Sequence, residues 1–340
     1  MISNKMPLKI KMLSENYDKI PWVEKYRPHK MADIISQDQI RKTLSNSIET
    51  HTLQHLLFHG PPGCGKTATI MACAKQLYGN KMDLNIIVIN ASEERGIDIV
   101  RTRIMQFVTS QNVFSNDNIF RLVILDEVDA MTTDAQAILR KVIENMSSTT
   151  RFCLICNYVK KITPALQSRC ASFRFKPLPH DAIKKKITQI SKLENFKISS
   201  DAIELIIRIS NGDMRYIFNT LQSACLLSVD KNLTLTTIIG CTGYIHPKHI
   251  DIIFNSLIKD KYNKSYELIM DIKTNNSYSL NHFFEEITIK LVDIIINDTK
   301  VLDINKILVI LQHMSIIEMN LISCSNDDIQ MAAFIGIFKL

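Results

Sequence analysis

The segment Gly60-Pro61-Pro62-Gly63-Cys64-Gly65-Lys66-Thr67 constrains this chain more than any other. It satisfies the pattern G-x-x-x-x-G-K-[ST] through Gly60, Gly65, Lys66 and Thr67. Its setting also meets the requirement that gives the pattern meaning. The apolar run HLLFHG ahead of it reads as a short buried strand, and KTATIMACAKQLYG behind it reads as a helix closed by Gly79. Glycines permit backbone angles that turn successive N–H groups into one concavity, and the helix start adds the positive end of its dipole. A loop of this kind, running here from Gly60 to Ala68, binds phosphate oxygens. Lys66 reaches the β- and γ-phosphates, and the Thr67 hydroxyl ligates Mg²⁺.

A phosphate loop needs a carboxylate beside it, and LVILDEVD supplies one. Four apolar residues carry a strand to its carboxyl end, where ligands bind in open α/β sheets. Asp126 there is expected to hold Mg²⁺, mostly through water, and Glu127 to polarise an attacking water as general base. Asn157 ends the next apolar strand, RFCLICN, so its amide reaches the same side or is a plain strand terminus.

The wider pattern agrees. LNIIVIN, FRLVILD, RFCLICN and ASFRF read as further strands, with helices expected over about 39–50, over IDIVRTRIMQFVTS and over about 133–146. Near-continuous apolar strands alternating with helices predict a parallel α/β sheet covered on both faces. The alternation stops near Pro177–Pro179, and everything beyond is helical in period. The expected division is a basic lead-in over 1–20, an α/β domain over 21–178, a small helical domain over 179–243 and a second helical domain over 244–340. PWVEKYRP, bounded by Pro21 and Pro28, is expected to resist helix.

Composition narrows the class. The chain has 340 residues, 46% of them hydrophobic and 22% charged, which suits a globular protein of two or three domains. No apolar run is long enough to span a bilayer, and MISNKMPLKIKML has no apolar core of a secretory signal, so no membrane partner is expected. The net charge of +7 favours polyanionic partners. Eight cysteines without a signal sequence read as reduced thiols; Cys153 and Cys156 lie inside an apolar strand with no second pair to complete a zinc site.

The motifs PWVEKYRP, GPPGCGKT, LVILDEVDAMTTDAQAILRKVIE, RFCLICNYVKKITPALQSRC, FRFKPL and NGDMRYIFN resemble, in that order, the small subunits of replication factor C. That family is the sliding-clamp loader of the AAA+ superfamily. The resemblance is dense over about 21–225 and thins over 246–340. It implies a RecA-like ATPase domain, a helical lid and a helical collar through which five subunits form a ring. It implies ATP and Mg²⁺ as cofactors, with other loader subunits, a sliding clamp and primer–template DNA as partners. It places the protein inside the cell, in a nucleus or in the replication compartment of a large DNA virus.

Residue by residue, the resemblance makes Arg169, in Ser-Arg-Cys, an arginine finger that serves the ATP of a neighbouring subunit. The alternative for Arg169 is an ion pair within its own domain. Arg215 reaches over its own chain's phosphates. Val23, Tyr26, Arg27 and Pro28 lie near base and ribose, with Tyr26 and Arg27 open to a packing role instead. Arg95, Gly96, Arg101 and Arg103 lead into or lie on a helix that tracks the DNA backbone, or form a solvated face. Phe107, Val108, Val113 and Phe114 face the clamp, or pack internally. Ser36 stands where the family often has Gly. Two other readings remain at this level. One is a different AAA+ motor, of the Holliday-junction branch-migration type. The other is a scaffold that binds ATP with little turnover.

Overall fold

The computed structural model describes residues 20–50, 52–92, 97–109, 120–228, 230–276, 278–297, 302–323 and 326–339. Inside the helix over 97–109, side chains 97–101 and 109 lie outside the described set. The chain forms two compact units that divide between Gln222 and Ser223.

The first unit is built on five parallel strands: β1 (Leu56–His59), β2 (Ile86–Asn90), β3 (Arg121–Asp126), β4 (Thr150–Cys156) and β5 (Ala171–Arg174). Their order is β2-β3-β4-β1-β5. The sheet grows in one direction from β4 to β2 and in the other from β1 to β5, so the reversal of strand order falls at β1. That is where a crevice opens beyond the carboxyl ends of the strands. Helices α1 (Asp38–Glu49), α2 (Lys66–Tyr78), α3 (Ile97–Thr109) and α4 (Thr133–Met146) connect or cover the strands.

The period of two in each strand sorts side chains onto two faces. Leu57, Val123, Leu125, Phe152 and Leu154 join Ile104, Leu139 and Ile143 in one core. Leu56, Phe58, Leu122, Ile124 and Ile155 join Ile70, Ala72 and Cys73 in the other. Burial of each such side chain contributes about 1.5–3 kcal/mol, so the sheet is the stable platform of the unit. Cys153 and Cys156 fall in opposite cores, the spacing of three putting them on opposite faces.

The strand expectations hold, and α1 and α4 fall where the periodicity puts them. PWVEKYRP differs. Trp22–Lys25 is one helical turn with Pro21 as its N-cap. Proline at a helix start forfeits no intrahelical bond, because the first N–H groups have no partner there. The turn is held by tertiary contacts: Trp22 stacks on Phe196 with centroids 5.7 Å apart, and Trp22 N–H donates to Gln222 Oε1 at 3.0 Å.

After the sheet come α5 (His180–Leu193), α6 (Ser200–Ser210) and α7 (Met214–Leu227). The second unit contains α8 (Leu235–Thr242), α9 (Pro247–Lys259), α10 (Tyr262–Asn276), α11 (Leu280–Ile296), α12 (Ile304–Ser323) and α13 (Asp327–Ile337). Its core gathers Ile253, Leu257, Phe283, Ile287, Leu291, Ile307, Phe334 and Ile335. Among the described residues no helix is long and apolar enough to cross a membrane.

Candidate active site

β1 ends at His59, and the chain then turns through Gly60, Gly63 and Gly65, all with positive φ, before α2 begins at Lys66. Gly65, at φ +93°, is the N-cap of α2. The loop is closed by its own lysine. Lys66 is buried, and its Nζ donates to Gly60 O at 2.8 Å, Pro61 O at 2.7 Å and Asn157 Oδ1 at 2.9 Å. Burial pulls the Lys66 pKa below the usual lysine value, Cys64 and Asp126 oppose that shift, and Arg215 reinforces it. The Cys64 thiol donates to Pro61 O, and burial pushes its pKa up, so it stays protonated and unreactive.

The acidic side of the site comes from β3. Thr67 Oγ1 donates to Asp126 Oδ2 at 2.8 Å, joining the phosphate loop to the end of that strand. Glu127 follows in the left-handed region, at φ +57° and ψ +39°. Its N–H donates to Asp126 Oδ1 at 3.0 Å. A non-glycine residue in that region costs about 1–2 kcal/mol, and here it turns an exposed carboxylate toward the crevice. Asn157 leaves β4 one residue beyond the strand, and its oxygen meets Lys66.

These groups line one cavity of about 420 Å³. Its lining includes Pro62, Gly63, Cys64, Gly65, Lys66, Thr67, Ala68, Asp126, Glu127, Asn157 and Arg215, and also Val23, Tyr26, Arg27 and Pro28. The carbonyls of Gly60 and Pro61 face Lys66, and those two residues lie outside the lining. Tyr26 also has a packing role: its hydroxyl donates to Glu194, and its ring lies 6.0 Å from that of Phe218. Asp213 caps α7 by accepting from Arg215 N–H at 2.8 Å, which sets Arg215 at the helix start facing the loop.

Sequence reasoning missed the lining residues Glu24, Asp33, Ile34, Ile35, Val88, Asn90, Leu178, Lys186, Met214 and Phe218. Lys186, inside IKKKI, lies on a helix whose Ile183, Ile187 and Ile190 are buried. Burial lowers its pKa, and Asp33 acts in the opposite sense. Asn90 has a register argument, since it pairs with Asp126 across β2 and β3.

The residues present fit a nucleoside triphosphate with Mg²⁺. Hydroxyl and carboxylate oxygens, those of Thr67 and Asp126, are the hard donors that Mg²⁺ selects. The glycine loop at the start of α2 is an anion site by dipole and N–H alignment. Bound there, Mg²⁺ would supply charge neutralisation for phosphoryl transfer.

Arg169 stands outside this cavity. Its Nε donates to Glu144 Oε1 at 2.5 Å and its Nη1 to Ala165 O at 2.7 Å. The exposures of Arg169 and Glu144 side chains are 34% and 37%, so the guanidinium sits at the surface, paired within its own chain. On α3, Arg103 is exposed, while Phe107 and Val108 are half-buried and pack against the sheet core. The side chain of Arg101 lies outside the described set, as do Arg95, Gly96, Val113 and Phe114 altogether.

Comparison with known proteins converges on one group. The model of the ATPase family associated with various cellular activities matches residues 56–178, and that of the replication factor C C-terminal domain matches 245–336. The probable replication factor C subunit 5 of Dictyostelium discoideum is 40% identical over 96% of this chain and 92% of that protein. Replication factor C subunit 3 of Saccharomyces cerevisiae is 37% identical over 95% and 94%, and subunit 5 of Mus musculus is 45% identical over 79% and 78%. Among solved structures, a Thermotoga maritima RuvB aligns over 78% of this chain and 91% of its own, with a TM-score of 0.51 and 17% identity, a likeness of fold. The phosphate loop and its carboxylates thus belong to an ATPase of the AAA family. With relatives matching nearly end to end, the chain belongs to the replication factor C family, as a small subunit of a sliding-clamp loader.

Proposed function

We propose that this chain hydrolyses ATP as one member of a hetero-pentameric ring that opens a sliding clamp and loads it onto primer–template DNA in the nucleus. The observation that carries the reading is the separation of the catalytic groups. Lys66, Thr67, Asp126, Glu127 and Asn157 line one cavity, whereas Arg169 is outside that lining, at the surface on Glu144. A guanidinium that stabilises charge on a transferred phosphoryl group must touch it. Arg169 therefore serves a site on another subunit, and this site takes its arginine from a neighbour.

Within this reading Lys66 and Arg215 bind the phosphates, Thr67 and Asp126 hold Mg²⁺, and Asn157 and Glu127 orient the attacking water, with Glu127 accepting its proton. Val23, Tyr26, Arg27 and Pro28 enclose base and ribose. Residues 21–178, 179–243 and 244–340 act as ATPase domain, lid and collar. Assembly through the collar is supported by apolar side chains left exposed on single faces of two helices: Ile289, Val292 and Ile296 on α11, and Leu308, Ile316 and Met319 on α12. Arg95, Gly96, Arg101 and Arg103 contact the DNA backbone, which positions without reading sequence, and Phe107, Val108, Val113 and Phe114 form the clamp side.

The test is steady-state ATPase of the chain alone and reconstituted with partner subunits, clamp and primed DNA, each with and without Arg169→Ala. Activity that appears on assembly, rises with clamp and DNA and collapses in the variant while ATP still binds is the expected outcome. Full turnover by the isolated chain, indifferent to Arg169, overturns the trans-acting assignment.

A further inference from the structure

We propose that Asp129, the last acid of Asp-Glu-Val-Asp, is a positioning residue that holds Asn157 in register with Glu127. Asp129 lies outside the lining of the cavity. It occupies one 3₁₀ turn, Val128–Ala130, directly after Glu127. That turn is fixed at both ends. Val128 is fully buried, and Ala130 N–H donates to Glu127 O at 2.9 Å. The carboxylate between them points at the end of β4. Asp129 Oδ2 accepts from Asn157 N–H at 3.2 Å and from Tyr158 N–H at 3.0 Å.

Those two amides belong to the first residues beyond β4, where the sheet ladder has ended. Both amides lie at the exposed end of the strand, and one carboxylate oxygen accepts from both in charge-assisted hydrogen bonds. The consequence lies one residue further in. With its backbone pinned, Asn157 projects its side-chain oxygen to Lys66 Nζ at 2.9 Å. A single acid thus ties the turn that follows Asp126 and Glu127 to the residue whose amide oxygen meets the phosphate-loop lysine. The distance between general base and water-orienting amide is set by Asp129, which touches neither substrate nor metal.

The inference rests on the reading of Asn157 given above, and the experiment separates the two. Rings are reconstituted with Asp129→Ala, Asp129→Asn, Asn157→Ala and Asp129→Ala/Asn157→Ala in this subunit. Turnover is taken above the background of a ring carrying Lys66→Ala. Nucleotide affinity and melting temperature are measured on the isolated chains. Misplacing a catalytic group by about 1 Å costs up to about 10²-fold, so Asp129→Ala lowers kcat by about 10- to 100-fold. Nucleotide affinity stays within about twofold of the parent, since the phosphate-binding groups are untouched. Asparagine keeps one oxygen that accepts both amides, so Asp129→Asn recovers turnover to within about threefold of the parent. In the Asn157→Ala background, Asp129→Ala adds less than about twofold, because residues acting as a unit are not additive.

Losses that multiply in the double variant, or an Asp129→Asn ring as slow as the alanine one, overturn the positioning role. A fall in affinity and melting temperature that accounts for the whole loss also overturns it, leaving a scaffold contact only. If Asn157→Ala alone keeps full turnover, the reading of Asn157 fails and the inference falls with it.

Discussion

Replacing Gly63 by alanine tests whether the phosphate loop and the start of α7 are in mechanical contact. Gly63 has φ +68°, and a Cβ built there lies 1.9 Å from Asp213 Oδ1 and 2.7 Å from Asp213 Cα. The carboxylate can swing away, but the Cα belongs to backbone. Relief to ordinary contact near 3.4 Å requires the backbone at Asp213 to retreat by about 0.7 Å. Asp213 is also the cap of α7, accepting from Arg215 N–H, so its displacement forfeits about 1 kcal/mol of capping. The left-handed conformation adds about 1–2 kcal/mol for any residue with a Cβ. Together the loss is about 2–3 kcal/mol, a fall in melting temperature of about 8 °C for a unit of this size. Gly65→Ala is the control. At φ +93° it incurs the backbone strain, but a Cβ there has no atom within 4 Å, so it loses about half as much. The assay is thermal and urea denaturation of the full chain, followed by circular dichroism, for both variants. Equal losses, or a milder Gly63→Ala, refute the contact argument.

Four further outcomes follow from other sites. Ser36 adopts φ +59°, so Ser36→Gly removes about 1–2 kcal/mol of strain against about 0.5–1 kcal/mol of added chain entropy, and the melting temperature rises by about 2 °C. Gln136 is buried and bonds Met131 O, Lys161 O and Thr163 N–H; Gln136→Met leaves all three unmet, costing about 3 kcal/mol by urea denaturation. Lys339 Nζ donates to Ser256 O, Leu257 O and Asp260 O at the end of α9, so Lys339→Met costs the second unit about 2 kcal/mol, read from its thermal transition. Glu144→Gln changes ring turnover by less than about threefold, since a half-exposed pair contributes under about 1 kcal/mol, whereas Arg169→Ala lowers it by about 10³-fold, both read by ATPase assay of the reconstituted ring.

What could be read in the sequence was whatever depends on local spacing. The phosphate loop is a strand, a glycine turn and a helix in direct succession, so Gly60 to Ala68 carry their geometry in their order. Asp126 and Asn157 were legible because each ends an apolar strand, and parallel strands end on one side. Asp33, Lys186 and Phe218 come from separate segments that only packing unites, and no spacing brings them to the cavity. The Trp22–Lys25 turn was misread because two prolines outweighed a contact with Phe196 that lies far along the chain. Ser36 is the instructive intermediate. Its departure from the family's glycine was visible, but its meaning, a left-handed backbone bearing a side chain, required the fold.

Under the trans-acting role proposed for it, Arg169 serves two states without a change of fold. Its backbone is fixed from below by Leu166, which is fully buried in the turn Pro164–Gln167. Its guanidinium lies at the surface on Glu144, a carboxylate that Arg140 shares at 3.4 Å. A single half-exposed acid holds a cation weakly. A phosphate chain presents several oxygens and more charge, and a planar guanidinium engages such groups in paired hydrogen bonds. In the proposed ring, the pair with Glu144 holds the side chain at the surface and yields to the stronger ligand that docking of a neighbour supplies. On the proposed trans-acting assignment, hydrolysis depends on assembly through a difference in ligand strength at one arginine, and the site around Lys66 needs no moving part of its own to remain idle until a partner arrives.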